Sequence, residues 1–405
     1  MTDDELHKRL SELPLPEQEE AEARAWQTVR AAFAEQVKER TLEGSASPRR
    51  RSGRFSHPWN SGRRRVAALL VALAAAIVVI TPAGAQVRDW VGDAIDGHSI
   101  ESAKVLNSPP GGGRLLVDAP SGTWVTDLDG SSRLLGDFED PTWSPQGLYV
   151  AAIDDQQLVA LEPDGDVRWS LTRPGNLSSP SWNAPDGFRI AYLEGTDLRV
   201  VAGDGTGDQR LARGAARVKP AWRPGPEHMV AFATQGGGAE VRGADDGGRR
   251  FVVETGSMVE GLQWSADGSR LLVWTAKQVT LFDSTGKRIW RYRTRSRGPV
   301  RSAAIEPGGP LRIAVLQGRE RTAVALVGPG VSRRVLLAAP GILEGPVWSP
   351  DGGWLSLGWP EADQWIYLHG RKLGQVDVVA EVGEQFSPGA TSPVAFPRIA
   401  GWCCD

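Results

Sequence analysis

The sequence predicts an all-β fold, a seven-bladed β-propeller, behind a short helical segment and one transmembrane helix. Three observations carry this. Six similar segments recur: PTWSPQGLYVAAID from 141, PSWNAPDGFRIAYL from 180, PAWRPGPEHMVAFA from 220, LQWSADGSRLLVWT from 262, AAIEPGGPLRIAVL from 303 and PVWSPDGGWLSLGW from 346. Their marker residues, Trp143, Trp182, Trp222, Trp264, Ile305 and Trp348, are spaced 39, 40, 42, 41 and 43 apart, the period of a four-stranded propeller blade. Ahead of them, residues 66–85 hold no charge, and twenty residues at about 1.5 Å each span one hydrocarbon core.

Each repeat reads as four strands. The marker Trp ends an inner strand and puts a large ring between blades. Ser-Pro-Asp-Gly then turns the chain, because Pro fixes φ, Asp bonds its own backbone and Gly takes positive φ. A second strand follows at 147–153 or 270–275, and a third at 157–161 or 278–283. A second turn, Pro163-Asp164-Gly165 or Ser284-Thr285-Gly286, leads to a fourth strand at 166–171 or 287–293. The unit at 303 has Ile305 where the others have Trp, and the unit at 220 lacks the turn Asp.

The ends of the repeat region set the blade count. Residues 111–138 supply three strands and no inner one, while 397–404 reads as an inner strand with no blade after it. A C-terminal strand that completes the first blade closes the ring and removes its open edges. Six full units and this composite make seven blades; six or eight would follow from one miscounted degenerate unit. Cys403 and Cys404, the only cysteines, then fall in the closing strand and face opposite sides. Packing as small hydrophobes is their expected role, with a vicinal disulfide as the alternative.

These Trp-Ser-Pro-Asp-Gly units resemble WD-repeat-like and TolB-like propeller repeats over about residues 108–404; 348–352 matches closely and 264–268 nearly so. The second-turn stretches DGDVRWSL and TGKRIWRY resemble quinoprotein propeller repeats. Propellers host enzymes and binding modules alike, so the resemblance leaves both classes open.

Charge orients the apolar span. Residues 1–43 hold 6 Lys+Arg and 11 Asp+Glu, whereas 44–65 hold seven Arg and no acid. Arg49, Arg50, Arg51, Arg54, Arg63, Arg64 and Arg65 therefore place the N-terminus in the cytoplasm and the propeller outside. Ala83-Gly84-Ala85 fits a signal-cleavage site, but the long stretch ahead of the span favours a retained anchor. The expected organisation is amphipathic cytoplasmic helices at 1–40, a basic disordered linker at 41–65, the span at 66–85, a juxtamembrane linker at 86–107, where Val87, Trp90, Val91 and Ile95 lie at helical spacing, and the propeller at 108–405.

In the cytoplasmic segment, Thr2-Asp3-Asp4-Glu5 reads as a capping box. Leu6, Leu10 and Leu13 follow as one apolar stripe, and Trp26, Val29, Phe33 and Val37 as a second. Helices this short bury little surface alone. Leu6, Leu10, Trp26, Val29 and Phe33 are thus the expected contacts with a cytoplasmic regulatory protein. The layout resembles membrane-anchored anti-sigma factors, which implies a sigma factor as that partner. The His-x-x-x-Cys-x-x-Cys zinc motif of many such factors has no counterpart, since His7 and His57 are isolated and this segment has no Cys.

Catalytic chemistry finds little support. The net charge of −3 gives no argument for a nucleic-acid partner. His98, His228 and His369 have no partners at recognisable spacing, and no Gly-x-Ser-x-Gly elbow occurs. Gly203-Asp204-Gly205-Thr206-Gly207-Asp208 lacks the length and final Glu of an EF-hand loop and reads as a turn, as do Asp127 and Asp129. No catalytic residue, cofactor or metal is expected.

One feature suggests a ligand. Arg291, Arg293, Arg295 and Arg297 alternate with Tyr292, Thr294 and Ser296, so an extended chain puts all four guanidiniums on one face. Such a row suits an anionic polymer; the competing reading is an edge strand charged against edge-to-edge pairing. The expected function is a non-enzymatic single-pass protein whose outer propeller binds a protein or envelope polymer and relays to a cytoplasmic partner. The alternative is an extracytoplasmic hydrolase or quinoprotein-like enzyme.

Overall fold

The computed structural model describes residues 102–106, 108–185, 187–294, 297–370, 375–387 and 395–404. The helices, basic linker and span expected at 1–85 lie outside the described residues, and so does most of the juxtamembrane linker. Among the described residues no helix is long and apolar enough to cross a membrane.

Seven sheets, each built on four antiparallel strands, form the fold, so the blade count is seven. The inner strands of blades 2 to 7 are Glu139–Trp143, Leu177–Trp182, Ala221–Trp222, Gly261–Trp264, Val300–Ile305 and Glu344–Trp348. Every marker residue is the last of its inner strand. Blade 1 takes its inner strand, Arg398–Cys403, from the C-terminus; it pairs antiparallel with Arg114–Ala119, Trp402 opposite Leu115 and Ile399 opposite Val117. The closure expected from 397–404 is therefore how the ring is built.

The turn after each marker explains its sequence. Ser144, Ser265 and Ser349 each follow a marker Trp, and each Oγ accepts a hydrogen bond from the backbone N–H five residues on, at 3.0, 3.0 and 2.9 Å. Asn183 accepts likewise through Oδ1, at 2.6 Å, from Arg189 N–H six residues on. Asp267 and Asp351 in turn accept from Ser265 and Ser349 at 2.5 and 2.6 Å. Blade 6 lost this Ser as well as its Trp: Glu306 occupies the position and pairs through both carboxylate oxygens with Arg312. Asp204 is a turn residue, as expected, accepting from its own Thr206 N–H at 3.0 Å.

The apolar core is divided among the seven junctions between blades, one cluster to each. Two of the marker indoles also hydrogen-bond across blades, while Nε1 of Trp143, Trp182 and Trp264 is buried without a protein partner among the described residues. Trp222 Nε1 donates to Ser181 O at 2.8 Å and Trp348 Nε1 to Ala304 O at 3.3 Å. Between blades 2 and 3, Asp208 is nearly enclosed and pairs with both Arg173 and Arg199 while accepting from Tyr192 Oη at 2.6 Å.

Two local features differ from expectation. Ser102–Val105, placed in the linker by the sequence reading, is a strand added parallel to the outer strand of blade 7, Gln375–Ala380. The two cysteines do not face opposite sides. The strand ends at Cys403, Cys404 turns back at φ 58°, and the two sulfurs are joined in a disulfide that packs on Gly147 of blade 2.

Two substitutions test this packing. Trp222→Ala is expected to cost about 3–5 kcal/mol, and Ser265→Ala about 1 kcal/mol. Urea unfolding of both variants beside wild type measures the difference.

Candidate functional site

The residues that enter each inner strand ring one end of the central channel. Three or four positions before each marker stand Arg398 in blade 1, Asp140 in blade 2, Ser179 in blade 3, Lys219 in blade 4, Glu260 in blade 5, Arg301 in blade 6 and Glu344 in blade 7. Six of the seven are charged, and both signs recur around the ring. The backbone is specialised here: Asp140, Ser179 and Gly345 occupy the same place relative to their Trp and have φ of 51°, 57° and 20°. In blades 2, 3 and 7 these residues fall where the inner strand breaks register with its neighbour. A bulge of this kind re-aims side chains next to a site.

The ring is bonded together on one side. Arg398 pairs with Asp118 and lies 3.6 Å from Asp140, and Asp140 Oδ2 accepts from Ser179 N–H at 3.0 Å. Burial opposes the charge on Arg398, but the bond to Asp118, with Asp140 and Glu344 nearby, outweighs it and raises its pKa. Elsewhere the charges are less well matched. Among the described residues Lys219, Glu260 and Glu344 make no ion pair. Burial raises the carboxyl pKa of Glu260 against a backbone hydrogen bond from Ala276 and the pull of Arg301. Burial also raises that of Glu344, with Arg398 opposing and Glu361 adding to it. Solvent in the channel reaches Lys219, yet blades wall it in, and the desolvation pushes its ammonium down to about 8 against Asp140 and Asp118.

Below this ring a cavity of about 400 Å³ runs along blades 3 to 5, lined by Lys219, Glu260, Gln263, Trp182, Trp264 and Trp274. A second cavity, of about 800 Å³, opens between blades 2 and 3 on the face of the Ser-Pro turns. Leu148 and Phe188, each 61% exposed, stand at its rim, and Tyr149 stacks on Trp182 at 6.5 Å. Its cations are engaged: Arg168 pairs with Glu162 and Arg189 with Asp245.

The residues singled out in the sequence fall elsewhere. Arg291 and Arg293 lie exposed on the outer strand of blade 5, Arg288–Arg293. The row stops there: Arg297 N–H bonds back to Thr294 O at 3.1 Å in a turn, so Arg297 does not continue the extended face, and Arg295 lies outside the described residues. Leu6, Leu10, Trp26, Val29 and Phe33 also lie outside them. His228 contacts Asp245 at 2.6 Å and His369 packs on Trp354 at 4.7 Å, two unconnected placements. Sequence reasoning does not find the channel ring, although a signal exists: a charged residue stands three or four positions before Trp143, Trp222, Trp264, Ile305, Trp348 and Trp402, in six of the seven inner strands.

Comparison with known proteins supports the fold and goes no further. No protein-family description and no curated protein matches the chain. Solved structures match in large number, 1619 chains, so the architecture by itself selects no activity. The C-terminal WD40 domain of Sif2 aligns with TM-score 0.53 at 13% identity, over 70% of this chain and 86% of that one. Hydrazine synthase of Kuenenia stuttgartiensis aligns with TM-score 0.46 at 14% identity, over 57% of this chain and 76% of that one. The chain is a seven-bladed propeller similar in fold to WD40 domains.

Lys219 gives the site a pH signature. Its folded-state value of about 8 lies below the ordinary 10.5, so between these values the unfolded chain binds more protons and stability rises with pH. Relative to Lys219→Gln, the wild type is expected to gain stability from about pH 8 to 10.5. Urea midpoints for the two proteins across that window measure it; a constant difference would exclude the shift.

Proposed function

We propose that this chain is a single-pass membrane protein whose propeller stands outside the cell and binds a polypeptide partner at the charged end of its channel, without catalytic chemistry of its own. One observation supports the binding site above others: Lys219, Glu260 and Glu344, on three different blades, face the same opening without ion-pair partners among the described residues. Groups that are partly desolvated and unpaired gain most from a partner that brings complementary polar groups. The uncharged stretch 66–85 and the seven arginines ahead of it support the anchor and its orientation. On the inner side, the apolar stripes of residues 1–40 are proposed to hold a cytoplasmic regulatory protein such as a sigma factor.

Two experiments in the native cell test this. With a tag at each end, external protease is expected to remove the C-terminal tag and spare a membrane-bound N-terminal one; a soluble, shortened C-terminal product would refute the anchor. With a photo-crosslinking residue at Glu344, irradiation is expected to yield a discrete adduct with another polypeptide. The same residue at exposed Val167, on the outer strand of blade 2, is expected to yield none. Equal adducts at both positions, or none at Glu344, would refute binding at the channel.

A further inference from the structure

From Ser284 to Ile305 the chain carries Lys287, Arg288, Arg291, Arg293, Arg295, Arg297 and Arg301 and not one acidic residue, within a protein of net charge −3. Arg288, Arg291 and Arg293 are exposed together on the outer strand of blade 5. They crowd one another: the charges of Arg293 and Arg288 depress the pKa of Arg291. Among the described residues none of the three makes an ion pair, while Arg168, Arg173, Arg189, Arg199, Arg210 and Arg312 on other blades all do.

The opposite face of the same strand packs on blade 6 and holds the strand in place. Trp290 and Tyr292 stack at 6.4 Å with 12° between their planes. Arg333, from the outer strand of blade 6, reaches across and donates to Tyr292 Oη at 3.3 Å. Arg333 is also exposed and has no ion pair among the described residues. Arg288, Arg291 and Arg293 therefore share one face of the strand, and Arg333 stands on the other.

Protection of an exposed edge does not account for this. Other outer strands carry exposed arginines too, but not three unpaired ones together: Arg168 and Arg210 are each held by a carboxylate, and Arg133, Arg213 and Arg249, without an ion pair among the described residues, have no unpaired arginine beside them. A few charges of either sign are enough to blunt an edge. Uncompensated repulsion among three neighbouring arginines is a cost that a bound polyanion would remove.

We propose that this rim of blade 5 binds a linear polymer that carries repeated phosphate groups. Arg291 and Arg293 repeat along the strand every ~6.8 Å, so successive anionic groups of one chain can each meet a guanidinium. The planar guanidinium offers paired donors that match phosphate oxygens bidentately. This site lies apart from the channel ring, so either can fail without the other.

The test uses the full-length protein in detergent and inorganic polyphosphate as the probe. Arg288→Ser/Arg291→Ser/Arg293→Ser is expected to weaken polyphosphate binding about ten-fold or more and to flatten its salt dependence. The control Arg168→Ser/Arg210→Ser changes two exposed but paired arginines and is expected to bind as wild type. Equal binding by wild type and the triple variant would overturn the proposal, as would an equal loss in the control. Near-ultraviolet circular dichroism of each variant confirms that the fold is kept. Poly-L-glutamate that binds as tightly as polyphosphate would overturn the preference for phosphate. Phosphatidylglycerol vesicles that displace polyphosphate through the same arginines would assign the site to lipid headgroups and overturn the polymer.

Discussion

The hydrogen-bonded pairing of Arg398–Cys403 with Arg114–Ala119 is the constraint on which the rest of this structure depends. Without it, blade 1 lacks an inner strand and the ring has two open ends. With it, every blade has a neighbour on both sides, which the core requires. The apolar residues are not gathered in one centre but divided among seven junctions, so each sheet is buried by the next. Val117 and Trp402 pack between blades 7 and 1, and Leu116 and Val150 between blades 1 and 2. At these junctions the first and last strands of the repeat region share one sheet. The Cys403–Cys404 disulfide against Gly147, with Arg114 donating to Gly147 O at 2.7 Å, sits at the seam this pairing makes.

Closure also brings the channel ring into being. Arg398 belongs to the closing strand, yet its partners Asp118 and Asp140 belong to blades 1 and 2 at the other end of the repeat region. The geometry has a cost. A non-glycine residue at positive φ is disfavoured by about 1–3 kcal/mol, and Asp140 and Ser179 both take it, at matching positions in adjacent blades. Asp140 recovers part of that through the Ser179 N–H and the nearby guanidinium of Arg398. The fold thus spends local strain at the place where unpaired charges face the opening. Along the outer strand of blade 5 no described non-glycine residue takes positive φ; there the unusual feature is repulsion among arginines.

Much of this was legible in the sequence, for identifiable reasons. The period of the marker residues reports a physical unit, because each Trp must end a strand and reach the next blade. Strands two and three are apolar runs between turns, so 270–275 and 278–283 were placed with the bounds the structure gives. The closing strand was legible because 397–404 repeats the inner-strand pattern with nothing after it. Other features left weaker traces. Ser102–Val105 is one short strand whose parallel partner is far away in sequence, so no local pattern announces it. Cys404 leaves the strand through one backbone angle, which alternation alone does not reveal. The channel ring is harder to see because its residues precede the conspicuous Trp, differ in type from blade to blade and stand three positions ahead of it in some blades and four in others. The arginine row is visible in the sequence, but alternation alone does not show that Arg297 turns back onto Thr294 and leaves the extended face.

The central claim is that the C-terminal strand is an integral part of blade 1 and that the ring is closed by it. Hydrogen exchange of the full-length protein tests this most directly. Closure predicts that the backbone amides of Ile399 to Trp402 exchange as slowly as those of the inner strand of blade 5, Gly261–Trp264, and that those of Leu115 to Val117 are equally protected. Exchange of 398–403 at the rate of an unstructured terminus, with blade 5 still protected, would contradict the closed ring and everything placed around its channel.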